Sequence, residues 1–269
     1  MCLIGFAWRK HPRYRLVLAA NRDEFHGRPT APAQAWPGLP GVHGGRDLTK
    51  GGSWLLATES DRFAAVTNVR NGLEAGDESW LSRGELVLDF ARDSARPSDW
   101  LAELSLRAAS YGPFNLLVGA HGELHYASNR PRYRHRPLKP GVHALSNGDL
   151  DAPWPKAKRL RDAVGAWIEL EASMDDWPPV QKLFTALSDT REAPDAELPD
   201  TGVPIELERR LSAAFINGSS YGTRASSLFL LDDEEAVLYE RRYGPHGHHE
   251  GEKVLRFPVV RAAGTQTPS

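Results

Sequence analysis

The sequence has 269 residues, of which 41% are hydrophobic and 25% charged, with one cysteine and a net charge of -2. A single cysteine excludes an intramolecular disulfide framework and a cysteine-rich zinc site. The balance of 33 basic and 35 acidic residues lacks the basic excess that non-specific nucleic-acid binding needs, so no nucleic-acid partner is expected. The composition is not that of a disordered chain, and the length allows a large hydrophobic core.

The first residues do not have the order of an export signal. Their apolar run precedes Arg9, Lys10 and His11, whereas a signal peptide carries its positive charges before the apolar run. No stretch approaches the ~18 apolar residues that would span a bilayer. We therefore expect a chain without a transmembrane segment in a reducing compartment, the cytoplasm. The oligomeric state stays open.

The first third of the chain is dominated by strand patterns. Short apolar runs at residues 2–8 and 15–20 predict one hairpin, and runs at 53–58 and 63–69 predict a second. The segment 27–52 between them is rich in glycine and proline. Its length predicts a binding loop or lid.

Helix and strand patterns alternate in blocks over the rest of the chain. Ser82 and Glu85 have the spacing of a capping box at the start of a helix. Further helices are predicted at 98–109, 155–169, 179–187 and 205–213, and further strands at 114–119, 124–127, 142–146, 226–231, 236–239 and 254–259. Strands near both ends with helices between them indicate an α+β fold rather than regular βαβ alternation. We expect one domain over residues 1–261 and a disordered tail at 262–269.

Cys2 is the most informative residue, because it is the only cysteine and follows Met1 directly. Removal of Met1, which a small second residue permits, would leave a free α-amine beside a thiol. With a pKa of about 7.7–8.0, this amine could act as a base at neutral pH. A nucleophile activated by its own N-terminal amine is a known catalytic arrangement. The alternative is an ordinary cysteine at the start of a buried strand.

Asp23 belongs to the polar run Asn21-Arg22-Asp23-Glu24, which we expect to lie where the second strand leaves the core. Its carboxylate could hold the α-ammonium of a processed Cys2 or orient the nucleophile. The alternative is an Arg–Asp pair at a solvated strand end.

Two asparagines and one arginine stand at the ends of other strand-like runs. The side-chain amides of Asn68 and Asn147 could donate to a developing oxyanion, although Asn147 precedes a glycine and could instead form a turn. Arg224 could pair with Asp23 or bind a substrate carboxylate, or simply be exposed.

Aromatic and histidine-rich segments give weaker signals. Trp54, Trp80 and Trp154 lie beside the polar motifs and could line an apolar site, and we assign Arg22, Trp54 and Trp154 to substrate binding. The tract His246-Gly247-His248-His249 fits no structured zinc site, and we predict no functional metal.

Eight short motifs occur in order along nearly the whole chain. They are Met1-Cys2, Asn21-Arg22-Asp23-Glu24, Gly44-Gly45-Arg46-Asp47, Gly51-Gly52-Ser53-Trp54, Thr67-Asn68-Val69-Arg70, Leu145-Ser146-Asn147-Gly148, Pro153-Trp154-Pro155-Lys156 and Tyr221-Gly222-Thr223-Arg224. With them the sequence resembles the NRDE family, the family of the transport and Golgi organization protein. That family in turn resembles the N-terminal-nucleophile (Ntn) hydrolases, in particular the conjugated-bile-acid and penicillin V acylases. The resemblance implies a four-layer αββα sandwich.

The resemblance also implies a set of catalytic residues. Cys2, Asp23, Asn68, Asn147 and Arg224 match those of the acylases in type and order. One departure stands out: the acylases read Arg-Asn-x-Asp at the second strand, and this chain has alanine in place of that first arginine.

Two functions follow from these observations. In the first, the chain is a cysteine hydrolase of Ntn type that cleaves a small non-peptide amide or acyl conjugate. In the second, it is a carrier of haem, acyl-CoA or lipid on the same fold, because members of the NRDE family have been linked to haem trafficking and lipid homeostasis. The expected partner is a small substrate or an apolar ligand. No cofactor is expected, with haem entering only as a ligand.

Overall fold

The computed structural model describes residues 3–72, 79–171 and 179–260. The thirteen strands in these ranges are β1 (Leu3–Trp8), β2 (Leu16–Phe25), β3 (Thr30–Ala35), β4 (Val42–Asp47), β5 (Leu55–Thr58), β6 (Phe63–Asn68), β7 (Phe114–Ala120), β8 (Glu123–Ser128), β9 (Arg134–Pro137), β10 (Gly141–Leu145), β11 (Tyr221–Leu231), β12 (Glu235–Tyr243) and β13 (His249–Pro258). The five α-helices in the same ranges are α1 (Arg83–Arg92), α2 (Pro97–Leu104), α3 (Pro155–Glu171), α4 (Gln181–Leu187) and α5 (Ile205–Leu211). Cys2 and the predicted tail lie outside the described residues.

The strands form two antiparallel sheets. The first has six strands in the order β10-β1-β2-β11-β12-β13, and the second has seven in the order β3-β4-β5-β6-β7-β8-β9. The second sheet is a meander, whereas in the first sheet β1 pairs with β10 from the middle of the chain and β2 pairs with β11 from near its end. That crossover places residues from the two ends of the sequence side by side in the first sheet.

Alternation along the strands builds the layers, since successive side chains point to opposite faces of a sheet. On β1, Ile4, Phe6 and Trp8 face a core between the two sheets, whereas Leu3 and Ala7 face a second core under helices. The second sheet likewise shares the inter-sheet core on one face and contributes to a third core on the other.

Helices cover the two outer faces. Helix α3 packs on β1 and β10, α4 packs on β2 and β11, α1 packs on β5 and β6, and α2 packs on β7 and β8. The molecule is therefore an α+β protein with a four-layer αββα sandwich, as the resemblance implied. Across the described ranges, no helix combines the length and apolarity needed to cross a membrane.

The predicted loop over residues 27–52 was wrong, because this segment contains β3 and β4. Strand β4 pairs with β5, and β3 forms the edge of the second sheet. Pro32 lies where the β3–β4 register shifts, and a proline without an N–H is tolerated at such an edge. The glycine and proline content of this segment gives no strand pattern, and β3 and β4 are recognised only by their pairing with neighbouring strands.

Strand β2 also runs further than predicted, to Phe25, so the polar run Asn21–Glu24 lies within the strand rather than beyond it. Asn21, Arg22 and Asp23 are buried. Buried polar side chains need partners, and the partners come from distant parts of the chain.

Smaller differences concern element ends, one missed strand and one cap. Helix α2 ends at Leu104 rather than 109, β13 begins at His249 rather than 254, and the polar edge strand β9 was missed. Ser82 precedes α1 as expected, but in the described part of the chain no side-chain hydrogen bond caps this helix. Its main-chain oxygen instead accepts from the Glu85 N–H at 3.0 Å.

Candidate active site

The site is built where β1, β2, β10 and β11 meet at one end of the first sheet. Leu3 on β1 is opposite Asn21 on β2, and Ile4 is opposite Leu145, the last residue of β10. On the other side of β2, Thr223 of β11 is opposite Asp23. The register therefore gathers the beginning of the described chain, the Asn21–Glu24 run and the Tyr221–Arg224 motif at a single sheet end.

Asp23 is held by a hydroxyl from the neighbouring strand. Thr223 Oγ1 donates to Asp23 Oδ1 at 2.7 Å, and the main-chain N–H of Ile216 donates to the same hydroxyl oxygen at 2.9 Å. Asp23 and Thr223 are both buried. The carboxylate is thus fixed in orientation by the fold.

Asn21 points to the opposite side of the strand from Arg22 and serves the fold. Its Nδ2 donates to the carbonyl oxygens of Leu187 and Ala214 at 2.8 and 2.7 Å, and its Oδ1 accepts from Ser226 Oγ at 2.6 Å. These bonds tie the end of α4 to the first sheet. The side chain is fully buried, so it supports the packing at this sheet end.

Asn68 and Asn147 come together across the two sheets. Asn147 Nδ2 donates to Asn68 Oδ1 at 2.8 Å and to the main-chain oxygen of Asn68 at 3.1 Å. Beside them, Thr67 Oγ1 donates to the oxygen of Ser146 at 2.8 Å, and the N–H of Arg70 donates to the oxygen of Asn147 at 2.8 Å. The Asn147 amide is therefore engaged in orienting Asn68.

Two adjoining cavities open at this sheet end. One, of about 220 Å³, is lined by Asp23, Asn68 and Tyr221 among others. The other, of about 370 Å³, is lined by Arg22, Trp54 and Trp80 among others. Glu24, Val66 and Arg83 line both cavities, so the two cavities are neighbours.

Arg22 lies on the inter-sheet side of β2, stacked on tryptophan. Its guanidinium carbon is 4.4 Å from the centroid of the Trp54 ring, and the side chain is 6% exposed. Burial lowers the pKa of this guanidinium from its ordinary value, while the carboxylates of Glu24 and Asp47 act in the opposite direction. Arginine is not deprotonated in proteins, so the group carries its charge.

Two glycines allow the tryptophan and a helix to approach the cavity wall. A Cβ added to Gly45 would lie 2.2 Å from the Trp54 ring, and one added to Gly52 would lie 2.4 Å from the main chain of Gly84 in α1. The Ser53 N–H also donates to the oxygen of Gly84 at 3.1 Å. The glycine-rich motifs thus serve close packing of the second sheet against its helix.

Arg28 and Asp47 form an ion pair at the rim of the larger cavity. Arg28 Nη2 is 2.6 Å from Asp47 Oδ2, and Arg28 Nε is 3.7 Å from the Glu24 carboxylate. Burial alone would raise the pKa of Asp47, but hydrogen bonds from Arg28 and from the main chain of Thr49 and Lys50 outweigh it and lower that pKa. Arg28 is therefore neutralised within the cavity wall.

The remaining predicted site residues are placed differently. Arg224 Nη1 donates to the main-chain oxygens of Phe25 and Arg28 at 3.1 and 2.9 Å, so its described bonds hold the backbone between β2 and β3 rather than Asp23. Trp154 lies under Arg70, 5.0 Å from its guanidinium, and is not among the described residues that line either cavity. Cys2 lies outside the described residues.

Sequence reasoning missed three residues of this site. Thr223 orients Asp23, while Glu24 and Arg83 line both cavities. Thr223 and Glu24 belong to motifs that the sequence singled out, so their positions were available as a signal. Arg83 begins helix α1, and nothing in its local sequence indicates that this helix end faces the site.

Solved structures with this architecture define the class of fold. Two crystal structures of variants of the conjugated bile acid hydrolase from Clostridium perfringens align with TM-scores of 0.50 and 0.51. They cover 96% and 98% of this chain and 92% and 99% of those chains, at 11% and 10% identity. The chain has the fold of the Ntn hydrolases.

Sequence relatives define the family. Residues 1–245 match the family model described as Transport and Golgi organisation 2. The Homo sapiens Transport and Golgi organization protein 2 homolog is 30% identical over 262 residues, covering 90% of this chain and 92% of that protein. The Mus musculus homolog is 29% identical with the same coverage. The chain belongs to the Transport and Golgi organisation 2 family, which confirms the resemblance drawn from its motifs.

Proposed function

We propose that this chain is an Ntn-type cysteine hydrolase that cleaves a carbon–nitrogen bond, other than a peptide bond, in a small amide or acyl conjugate. The observation that carries the proposal is the fixed carboxylate of Asp23 on a cleft that Asn68 also lines. Its strand pairs with β1, whose first residue, Leu3, is covalently joined to Cys2. A buried carboxylate suits the task of orienting an α-ammonium group beside the nucleophile.

The reaction would use Cys2 after loss of Met1. The α-amine accepts the thiol proton, the sulfur forms a bond to the substrate carbonyl carbon, and the carbonyl electron pair moves to oxygen. Collapse of this intermediate breaks the C–N bond, and the amine leaves with the proton returned by the α-ammonium. Water then hydrolyses the thioester, which releases the acid and restores the thiol.

Supporting residues divide this work. Asn68 would donate its amide N–H to the oxyanion, and Asn147 would position Asn68 through the bonds described above. Arg224 would act as a positioning residue, because it fixes the backbone between β2 and β3 at the edge of the site. The likeness to bile acid hydrolases supports the fold on which such chemistry is built.

The test measures the removal of Met1 and the acylation of Cys2. Intact mass spectrometry should show loss of Met1, and p-nitrophenyl acetate should leave one acetyl group on Cys2 with a burst of nitrophenolate. Cys2→Ala is the matched control, and it should stay folded without acylation. Retained Met1 together with a Cys2 inert to iodoacetamide would overturn the proposal.

The carrier hypothesis has a separate readout. The aromatic wall of the larger cavity, formed by Trp54 and Trp80, is the observation that favours an apolar ligand. A haem carrier should give a saturable Soret shift that is the same in the wild type and in Cys2→Ala. Flat difference spectra in the micromolar range of haem would count against it.

A further inference from the structure

The guanidinium of Arg22 is buried without a hydrogen-bond acceptor among the described residues. A guanidinium has five N–H donors. The nearest described carboxylate oxygen, Oε2 of Glu24, lies 3.9 Å from Nη2, beyond hydrogen-bond distance. The Nη1 atom is shielded from solvent and has no described partner, and one face of the group rests on Trp54. A charged group therefore lies in the wall of the larger cavity with one donor nitrogen, Nη1, buried and without a described acceptor.

Such an arrangement is costly for the folded protein. Burying a polar group without a hydrogen bond is unfavourable, and burying a charge without a close partner is more so. Arg62 offsets part of the same cost, because its Nε and Nη1 donate to the carbonyl oxygens of Phe90 and Ala95 at 2.9 and 2.8 Å, and only its Nη2 is buried without a partner. Arg22 differs from Arg62 in that none of its side-chain nitrogens donates to a described acceptor, so an acceptor from outside the chain could offset the cost.

The surrounding charges favour an anion of limited charge. The larger cavity is lined by four basic residues and two acidic ones, and Arg28 among the basic residues is already paired with Asp47. Glu240, behind Arg22 in a small neighbouring cavity, directs its Oε1 to the main-chain N–H of Ala33 at 2.8 Å. With Arg28 paired, Arg22, Lys50 and Arg83 outnumber Glu24 in the lining, which favours an anion, while the carboxyl groups of Glu24 and Glu240 beside Arg22 oppose each added negative charge.

We propose that Arg22 binds a carboxylate carried by the substrate, so that the substrate class is amides or acyl conjugates with a free carboxylate next to an apolar or aromatic group. A planar guanidinium matches a carboxylate in a two-pronged geometry. Trp54 and Trp80 supply the apolar wall. Because the two cavities share Glu24, Val66 and Arg83, the carboxylate would lie in the larger cavity while the scissile bond lies beside Asp23. This placement rests on the proposed function, whereas the anion site itself does not.

The experiment measures binding without turnover. Calorimetric titration of the full-length Cys2→Ala protein with phenylacetate and with its neutral counterpart phenylacetamide compares a carboxylate with an uncharged group of the same shape. We expect phenylacetate to bind on the order of tenfold more tightly or better, since hydrogen bonds to charged groups are the stronger ones. Equal affinities would overturn the anion site, whatever the result of the acylation test.

Variants assign the effect to Arg22. Arg22→Met should bring the two affinities together, and Arg22→Lys should keep part of the preference. Arg107→Met is the matched control, because Arg107 also lies over a tryptophan, 5.9 Å from the Trp100 ring, but lines a different cavity. It should keep the full preference. If Arg22→Met does not fold, the two affinities of the Cys2→Ala protein and those of Arg22→Lys still decide the question.

A third probe tests the kind of anion. Phenyl phosphate carries nearly two negative charges at pH 8, and we expect it to bind more weakly than phenylacetate. Tighter binding of phenyl phosphate that depends on Arg22 would overturn the assignment to a carboxylate. A failure of acylation with an intact preference for phenylacetate would remove the hydrolase proposal alone.

Discussion

The side-chain amide nitrogen of Asn147 donates to two oxygens of Asn68, the side-chain oxygen and the main-chain oxygen. This makes the pair a unit, with Asn68 on the cleft and Asn147 behind it. The sequence suggested two equivalent oxyanion donors. The geometry makes Asn147 the residue that positions Asn68, and in the proposed reaction Asn68 alone is the donor.

Substitutions of this pair should therefore be non-additive. We expect Asn68→Ala to lower kcat about 100-fold, the usual cost of removing an oxyanion donor. Asn147→Ala should cost a similar factor through misplacement of Asn68, at unchanged KM. The double variant should lose no more than the worse single variant.

The comparison uses steady-state rates of the wild type, the two single variants and the double variant. Urea unfolding confirms that each of them is folded. Losses that multiply in the double variant would show that the two amides act independently.

Glu240 is a buried carboxyl on β12 that the proposed chemistry does not use. Burial raises its pKa above the ordinary value of 4.5, and the N–H of Ala33 and the charges of Arg242 and Arg22 only partly offset that effect. A carboxyl with a raised pKa in the folded state contributes stability that is fully present below its unfolded pKa. That stability is lost as the pH rises through the folded pKa.

Glu240→Gln should remove this pH dependence while keeping an acceptor for the Ala33 N–H. We expect the variant to have a higher Tm than the wild type at pH 8, by about 2–4 °C for each kcal/mol recovered, and the gap to close as the pH falls below 4.5. Glu234→Gln, an exposed substitution in the β11–β12 turn, is the control and should leave the pH dependence of Tm unchanged. A Tm difference between Glu240→Gln and the wild type that widens toward low pH would contradict the predicted direction of the effect.

At the scale of elements, the packing of α3 on the first sheet depends on one glycine. A Cβ added to Gly5 of β1 would lie 2.6 Å from Cγ of Leu160 and 3.4 Å from a methyl of Val164. The absence of a side chain lets the helix sit directly on the strand whose first residue adjoins Cys2. The position of this strand, and with it the site, is therefore coupled to α3.

Gly5→Ala should destabilise the protein by roughly 1–3 kcal/mol, the usual cost of overpacking a core. Gly165→Ala within α3 is the matched control, because nothing lies within 4 Å of a Cβ added there. Alanine is the better helix former, so this control should gain about 0.5–1 kcal/mol. Urea unfolding of both variants against the wild type measures the difference, and equal effects would argue against the tight contact.

At the scale of the whole molecule, an ion pair ties the two sheets together. Arg15, just before β2, places Nη2 2.8 Å from Oδ1 of Asp61 in the β5–β6 turn, and both side chains are largely buried. Arg15 also donates to the main-chain oxygen of Asp232 in the β11–β12 turn. The pair thus links three turns, two from the first sheet and one from the second.

Asp61→Asn should lower the free energy of unfolding by roughly 2 kcal/mol, because a charged hydrogen bond between buried groups is weakened. Asparagine tolerates the positive φ of 59° at this position, so the backbone should not add to the cost. Asp162→Asn, which breaks the exposed Lys158–Asp162 pair on α3, should change the same quantity by less than about 0.5 kcal/mol. Similar losses in the two variants would mean that burial of the Arg15–Asp61 pair adds nothing.

Much of the fold could be predicted because hydrophobic alternation is a local signal. The strand pairs at the two ends of the chain and helix α3 followed from such patterns and are present. Strands β3 and β9 are edge strands with polar or proline-containing sequences, so alternation and propensity carried little information there. The extension of β2 through Asn21 was also hidden, because its polar side chains look exposed until their distant partners are known.

By itself, the sequence determined the α+β class, the αββα architecture through its family motifs, and the identities of Asp23, Asn68 and Asn147 as site candidates. The tertiary structure alone decided which of these side chains meet and what each can do. Hydrogen bonds such as Thr223 to Asp23 and Asn147 to Asn68 join residues 200 and 79 positions apart, and no local pattern specifies them. The burial of Arg22 without an acceptor was likewise beyond the sequence, since burial is a property of packed layers rather than of a single strand.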